Sequence, residues 1–487
     1  MMKVPEMETA EDKCKDLDAT EASIRIGIAL TGALLSFIVT NDSIYPAIAL
    51  INPWIREWAT GFGIIVLIGL ICIARRKPHL LHPRLFTAIS LISVVGYFVL
   101  DIIGFSTANA MFLWIGSMLD SVAESWLFVM AYMSFAQLEA SRRPLVAMVA
   151  CFSAYLFQPV SIAIEPIVAV LVNGICFVVL FICVRPYAEK PLREVRASEP
   201  QDEMAIANPL SFLPSWHLLY ISVLVFSIAQ GLAISLPGPF NDVPALPITF
   251  VPLAAILLIY LLRSKMPNAD GLFSLCALLI IAGMILQPSD KIVSSDIASI
   301  SNTLIDAGAS CFNLLLVLLV GSIAGRNKVT ALPTAATMLA LYWLGIGGGA
   351  VLGNSAMAFF GWTETALVWT GFASAMVFVT FCFVMLKNAS FVEAIGAIQL
   401  PVMPEMRTEL EPASMDKRCE AVAAQYSFTP RETEVLELLA QGRTVGIIRE
   451  KLVISLNTAR FHTKNIYVKL NVHSQQELID LVEQFEL

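Results

Sequence analysis

The sequence predicts an all-α protein in two parts: a twelve-helix transmembrane bundle arranged six plus six, and a C-terminal domain of four short helices. Three observations carry this. Of 487 residues, 57% are apolar and only 14% charged, with a mean hydropathy of +0.74. An ordinary soluble domain holds roughly 45–50% apolar and about 25% charged residues. The apolar excess fills residues 24–386 in long runs, whereas the last hundred residues read as ordinary soluble sequence. Two solvents are implied, and so two kinds of domain.

Each membrane helix needs about 20 mostly apolar residues. Twelve stretches qualify, at 24–48, 57–74, 85–105, 108–137, 145–163, 166–184, 213–235, 246–262, 271–287, 297–321, 331–355 and 364–386. Asn41-Asp42 interrupts the first and Gln158-Pro159 the fifth. The acidic, polar N-terminus lacks the basic patch and short apolar core of a secretory signal, so the chain is expected to stay in the membrane uncleaved. The expected organisation is a tail at 1–23, a first six-helix half at 24–184 and a central linker at 185–212. A second half at 213–387, a second linker at 388–426 and the C-terminal domain at 427–487 follow.

Orientation follows from Lys and Arg placement, because basic loops stay in the cytoplasm. With the N-terminus inside, every even-numbered span ends on a basic group: Arg75-Arg76-Lys77, Arg142-Arg143, Arg185, Arg263/Lys265, Arg326/Lys328 and Lys387. Of 21 Lys and Arg before residue 400, only Arg56 and Lys291 fall outside. Both termini are therefore expected in the cytoplasm, with the bundle in the cell membrane.

The six-linker-six spacing resembles the major facilitator superfamily, whose two related halves enclose a midplane cavity. The resemblance is one of architecture. Between spans two and three those transporters usually carry an Arg-rich signature with Gly and Asp. Here ARRKPHLLHPR keeps the basic residues and lacks the Gly and Asp, which argues against active transport.

Ionisable side chains at bilayer depth face a cavity or a partner. Asp120 and Glu124 in the fourth span lie four apart on one helix face. Two such carboxylates in low dielectric cannot both hold a charge cheaply. They read as a proton site or a pocket for a cationic or hydroxylated ligand, with a helix-gluing pair as the alternative. Asp306 in the tenth span is the matching candidate in the second half. Asp101 and Glu364 are placed nearer the outer surface, and Gln230 and Asn313 serve as helix–helix glue or ligand contacts. The glycines of span eleven, Gly345, Gly347, Gly348, Gly349 and Gly353, permit close helix approach or a bend.

The nine cysteines contain no CxxC pair, and no disulfide framework or metal-ligand spacing emerges. No nucleophile, metal cluster or phosphate loop is recognisable either. Neither an enzyme nor a cofactor is expected.

After Lys387 comes a stretch punctuated by Pro401, Pro404 and Pro412, read as a linker with a short interfacial helix at 390–400. As a flexible chain it spans roughly 35 Å. Thr429 and Glu432 then form a capping box with Pro430 at the first helical position. Val435, Leu436, Leu438 and Leu439 give that helix an apolar face, and Gly442 ends it. A second helix starts near Thr444, and Ser455 caps a third. Ser474 with Glu477 caps a fourth. A tight turn at Val453-Ile454-Ser455-Leu456 joins the second and third helices, as in a helix-turn-helix.

The residues at fixed spacing are Thr429, Arg431, Glu432, Glu434, Val435, Leu436, Gly442 and Leu452, then Ile454, Ser455, Thr458, His462, Asn465, Ile466, Lys469 and Leu470. This pattern resembles the LuxR-type DNA-binding domain. It departs at Arg449, where that family has a small Ala, and at Ala459-Arg460, where it has Val-Lys. The resemblance implies that Arg460, Phe461 and Lys464 face base edges in the major groove, and i, i+1 and i+4 do share one helix face. Arg460 is suited to a bidentate guanine contact. Thr458, Thr463 and Lys469 are the expected phosphate contacts. The net charge of -8 hides six basic residues against Glu450 alone between Arg443 and Lys469, the local footprint of a nucleic-acid surface.

The whole resembles membrane-embedded LuxR-type regulators. That implies a one-component regulator which senses an unknown small-molecule effector through its bundle and binds double-stranded promoter DNA, as a homodimer on paired half-sites. The lipid bilayer is a second partner and RNA polymerase a further candidate. A transporter with a fused regulatory domain, or an anchor controlled by a protein partner, are the alternative readings.

Overall fold

The computed structural model describes residues 10–52, 54–198, 216–235, 245–263, 269–286, 295–325, 330–361, 363–388, 412–441, 445–452, 454, 456–470, 472 and 475–485. Among them every regular element is helical. They fall into two compact units, a bundle up to Asn388 and a C-terminal unit from Pro412.

The first half of the bundle comprises α1 (Ala10–Val39), a π-turn (Thr40–Ile44), α2 (Tyr45–Ala49), α3 (Ile55–Arg76), α4 (Pro83–Thr107), α5 (Ala110–Phe135), α6 (Arg143–Leu156), α7 (Gln158–Ser161) and α8 (Pro166–Ala197). The second comprises α9 (Trp216–Ser235), α10 (Val251–Arg263), α11 (Ala269–Leu286), α12 (Ser295–Ala324), α13 (Ala331–Phe360) and α14 (Glu364–Asn388). Among the described residues, nine helical segments are long and apolar enough to cross a membrane. Three shorter apolar ones, Leu219–Ala233, Val251–Arg263 and Val368–Val384, occupy the seventh, eighth and twelfth predicted positions. Helices satisfy their own backbone groups, which is what a bilayer demands. Large apolar side chains such as Ile65, Ile92, Ile175 and Val377 point outward, a surface that suits lipid and would be a liability in water.

One helix of each half is enclosed. Residues 123–136 around the end of α5 and residues 307–324 of α12 are buried without a break. The halves differ in how they pack. In the second, a Cβ on Gly349 would stand 2.3 Å from the Ile228 carbonyl oxygen, and one on Gly231 2.2 Å from that of Ile346. Gly345 and Gly353 meet Ser227 and Ser235 of α9 as closely. The span-eleven glycines therefore let α9 and α13 touch backbone to backbone. Gly348 has open space around it. Phe226 stacks on Phe312 at 3.9 Å between centroids, with Phe273 and Phe378 around it.

Two stretches expected as linker are partly helical. α8 runs past residue 184 to Ala197 through Pro186 and Pro191. Ala188, Leu192 and Val195 form a buried stripe at helical spacing, and Glu189 pairs with Arg193 at 2.8 Å and Arg185 at 3.7 Å. A packed face and an i,i+4 ladder outweigh the two missing N–H groups. Within 388–426, residues Pro412–Gln425 form α15, which buries Cys419 and Val422 in the core of the C-terminal unit. The interfacial helix expected at 390–400 lies outside the described residues.

The C-terminal unit continues with α16 (Pro430–Ala440), α17 (Val445–Leu452), α18 (Leu456–Leu470) and α19 (Gln475–Gln484). Its core joins Val435, Leu436, Leu439, Ile448, Ala459, Ile466, Leu470, Leu478 and Val482. Ile448 and Ala459 are fully enclosed, so α17 and α18 pack closely although Arg449 replaces the expected small residue. The predicted Thr429 capping box is present, with both reciprocal bonds made. Gly442, Thr444, Ser455 and Ser474 lie outside the described residues.

Candidate functional site

Two sites follow, one in each unit. In the C-terminal unit, α18 turns Ala459, Ile466 and Leu470 into the core. Spacing by seven and eleven leaves the opposite face to solvent. Thr458 and Lys464 are exposed there, and Phe461 is 61% exposed, unusual for an aromatic. Arg460 lies on the same helix, with its side chain outside the described residues. The half-buried Thr463 donates its hydroxyl to the Ala459 carbonyl at 2.9 Å, which leaves its oxygen able to accept only.

Lys469 is exposed yet engaged within the unit. Its ammonium donates to Glu432 Oε2 at 2.8 Å and to the Ser427 carbonyl at 3.2 Å, and stands 5.3 Å from the Phe428 ring centroid. The same Glu432 oxygen accepts the Thr429 N–H at 2.8 Å and hydroxyl at 3.0 Å. Burial works against the Glu432 charge. The bonds from Lys469 and Thr429 outweigh it and hold the carboxyl below the usual carboxylate range. Lys469 thus ties the end of α18 to the start of α16. Arg431 pairs with Glu434 and reaches the Leu452 carbonyl at 3.3 Å, fixing α16 to the end of α17.

In the bundle, the polar residues of the first half gather on Asn173 of α8. Its amide nitrogen donates to Tyr97 Oη at 3.1 Å, Asp120 Oδ1 at 3.3 Å and Thr40 Oγ1 at 3.3 Å. Its oxygen accepts the Ser36 hydroxyl at 2.5 Å. One buried amide thereby joins α1, α4, α5 and α8. Asp101 of α4 is enclosed against Gly116, both of its carboxylate oxygens without a hydrogen-bond partner. Glu124, one turn beyond Asp120, is 6% exposed and its Oε1 is likewise unpartnered.

The π-turn separates this group from a second one. Asp42 accepts the Ser161 hydroxyl at 3.1 Å, and Ser43 bonds to the Ser161 carbonyl. Gln158 accepts the Thr249 hydroxyl at 2.8 Å across the halves. Asp306 is half-buried with Asp42 as its electrostatic neighbour. Two further bonds cross between halves. Asn313 donates to Tyr155 at 2.5 Å, and Arg143 reaches the carbonyls of Leu138, Ala136 and, on α12, Gly321. Gln230 is buried with its Oε1 unpartnered. The side chain of Glu364 lies outside the described residues.

A chamber of about 30 Å³ opens beside Glu124, walled by Tyr45, Arg56, Thr60, Ser121 and Trp343 among others. A far larger groove of about 800 Å³ runs along α1, α6 and α8. Its walls include the outward-facing Ile24, Ile28, Val149 and Ile175, the face that a bilayer would cover. Among the described residues no three metal-ligating side chains converge.

These features define a helical membrane bundle joined to a LuxR-type helix-turn-helix domain. Residues 426–482 match the luxR family of bacterial regulatory proteins. The same region is 41% identical over 70 residues to an uncharacterized response regulatory protein, YgeK, of Escherichia coli (strain K12). It is 42% identical over 57 residues to the Fimbriae Z protein of that strain. These matches cover 14% and 12% of this chain, and 48% and 27% of those proteins. The chain thus spans less than half the length of the curated relatives it matches. The bundle shares its fold with the human organic anion transporter MFSD10 (TETRAN), with a TM-score of 0.51 and 9% identity over 75% of this chain and 99% of that one. It is therefore major-facilitator-like in architecture.

The spacing in the sequence set Asp120 and Glu124 one turn apart on one helix face, and it did not single out Asn173 or Arg56 as their neighbours. An amide inside the apolar run LVNGICFVVLF is a legible signal for the first. Arg56 was legible as one of two basic residues on the outer side.

Proposed function

We propose that this protein is a membrane-bound one-component transcriptional regulator. A small molecule binds between the two six-helix halves of a twelve-span bundle and favours one arrangement of its helices. The C-terminal unit, on the cytoplasmic side with both termini, then binds promoter DNA differently. Effector control requires only that the ligand bind the two arrangements unequally. Arg460, Phe461 and Lys464 read bases on paired half-sites as a homodimer, with Thr458, Thr463 and Lys469 toward phosphates. The reading assigns no catalysis to the chain.

The observation that carries this is the coexistence of a LuxR-type domain with unpartnered carboxylates deep in a membrane bundle. Buried polar groups left unpaired cost stability and persist where function needs them. The test is transcript profiling of cells carrying the full-length protein against an Arg460→Ala version at equal abundance. A few sharply changed transcripts are expected, and the neighbouring pathway then supplies effector candidates. Identical profiles under several growth conditions would remove the regulator reading.

A further inference from the structure

The chamber beside Glu124 brings a carboxyl and a guanidinium into one lining. On one side stands the Glu124 carboxyl, buried with Oε1 unpartnered. On another stands the Arg56 guanidinium, whose contact is the Tyr45 ring, 5.7 Å from its centroid. Among the described residues no carboxylate lies within ion-pair distance of Arg56. Both residues line one space, yet they leave each other unneutralised. The same lining includes Thr60, Ser121, whose hydroxyl donates to the Ala59 carbonyl at 2.9 Å, and the rings of Tyr45 and Trp343.

Glu124 Oε1 is open to accept from an ammonium and Arg56 to donate to a carboxylate, so a cation alone leaves Arg56 unanswered and an anion alone leaves Glu124 so. A ligand carrying both charges satisfies both walls at once, and aromatic rings add a favourable face for its cationic end. At about 30 Å³ the chamber exceeds the ~10–15 Å³ that one water needs. It is far below the ~300 Å³ at which drug-sized pockets begin. We infer that this chamber is the recognition site for a small two-headed molecule, with an ammonium end on Glu124 and a carboxylate end on Arg56. The inference rests on the sensing role proposed above and names the chemical class that is sensed.

The experiment follows thermal unfolding of the purified full-length protein in lipid nanodiscs. The two-headed probes are glycine, β-alanine and γ-aminobutyrate, with methylamine and acetate as one-headed controls. At least one two-headed probe is expected to raise Tm by roughly 2 °C or more at saturation, while both controls leave it in place. Glu124→Gln and Arg56→Gln should each abolish that rise, and Arg56→Lys should restore part of it. The lysine version also shows that loss of the rise is not loss of folding. No rise with any two-headed probe, or a rise that survives Glu124→Gln, overturns the assignment. If transcripts still separate wild type from Arg460→Ala while no two-headed probe binds, the ligand class falls and the regulator stands. If transcripts do not separate, the regulator falls, and the binding result judges the chamber on its own.

Discussion

The two halves of the bundle share an architecture and hold together by different means. The first half is pinned through buried polar chemistry, four helices meeting at the Asn173 amide with Asp101, Asp120 and Glu124 close by. The second is pinned through shape, by glycines that bring α9 and α13 into backbone contact and by the stack on Phe226. Polar bonds are directional and respond to a change of partner. Backbone contact is tolerant of chemistry and intolerant of volume. The first half is thus held by contacts sensitive to chemistry and the second by contacts sensitive to volume.

The sharpest way to break this comparison is to add volume to the frame. Gly349→Leu puts side-chain atoms where the Ile228 carbonyl already stands, and should cost about 3 kcal/mol or more. Gly348→Ala, in open space, should be neutral or slightly stabilising through helix propensity. Heat unfolding of the two variants in one detergent checks both, and equal losses would remove the shape argument. Next in size is Asn173→Leu, which strands the groups of Ser36, Tyr97 and Asp120. We expect a loss of roughly 2–4 kcal/mol, because each buried group left unpaired costs about 1–3 kcal/mol. An unchanged melting temperature would show that the amide holds nothing together.

The smallest expected effect tests the C-terminal unit. The folded-state carboxyl of Glu432 titrates below its unfolded value. Its contribution to stability is therefore fully present above the ordinary glutamate range near ~4.3 and fades as pH falls through the folded value. Protection of the α16 and α18 amides in the full-length protein, taken relative to intrinsic exchange at each pH, should fall below about pH 4. Lys469→Met should quicken the same amides at neutral pH, by roughly 1–2 kcal/mol of lost protection. Unchanged exchange in that variant would show that the Lys469–Glu432 bond does not hold the unit together.

The apolar runs made the bundle legible, because period and length in a bilayer admit few alternatives to a helix. The continuation of α8 was not legible, since Pro186 and Pro191 signal a break and only tertiary burial of Ala188, Leu192 and Val195 overrules them. α15 was hidden for a related reason: prolines surround a short polar segment whose few apolar residues matter only once Cys419 and Val422 meet the core. In the site, the i,i+4 spacing of Asp120 and Glu124 could be read directly. That Asn173 joins four helices depends on contacts between segments far apart in the chain. Arg56 served as a topological marker and carried no hint of the chamber it lines.

The π-turn at Thr40–Ile44 has a consequence for how one strand of chain serves two neighbourhoods. A regular helix advances about 100° per residue, so an extra residue in one turn offsets everything after it by roughly that angle. Ser36 ahead of the turn and Thr40 at its start address the Asn173 group, whereas Asp42 and Ser43 within it address Ser161. The first span is in effect two rods joined by a fixed angular step. Any rearrangement that smooths the step into ordinary helix must rotate one rod's contacts away from its neighbours while the other's stay in register.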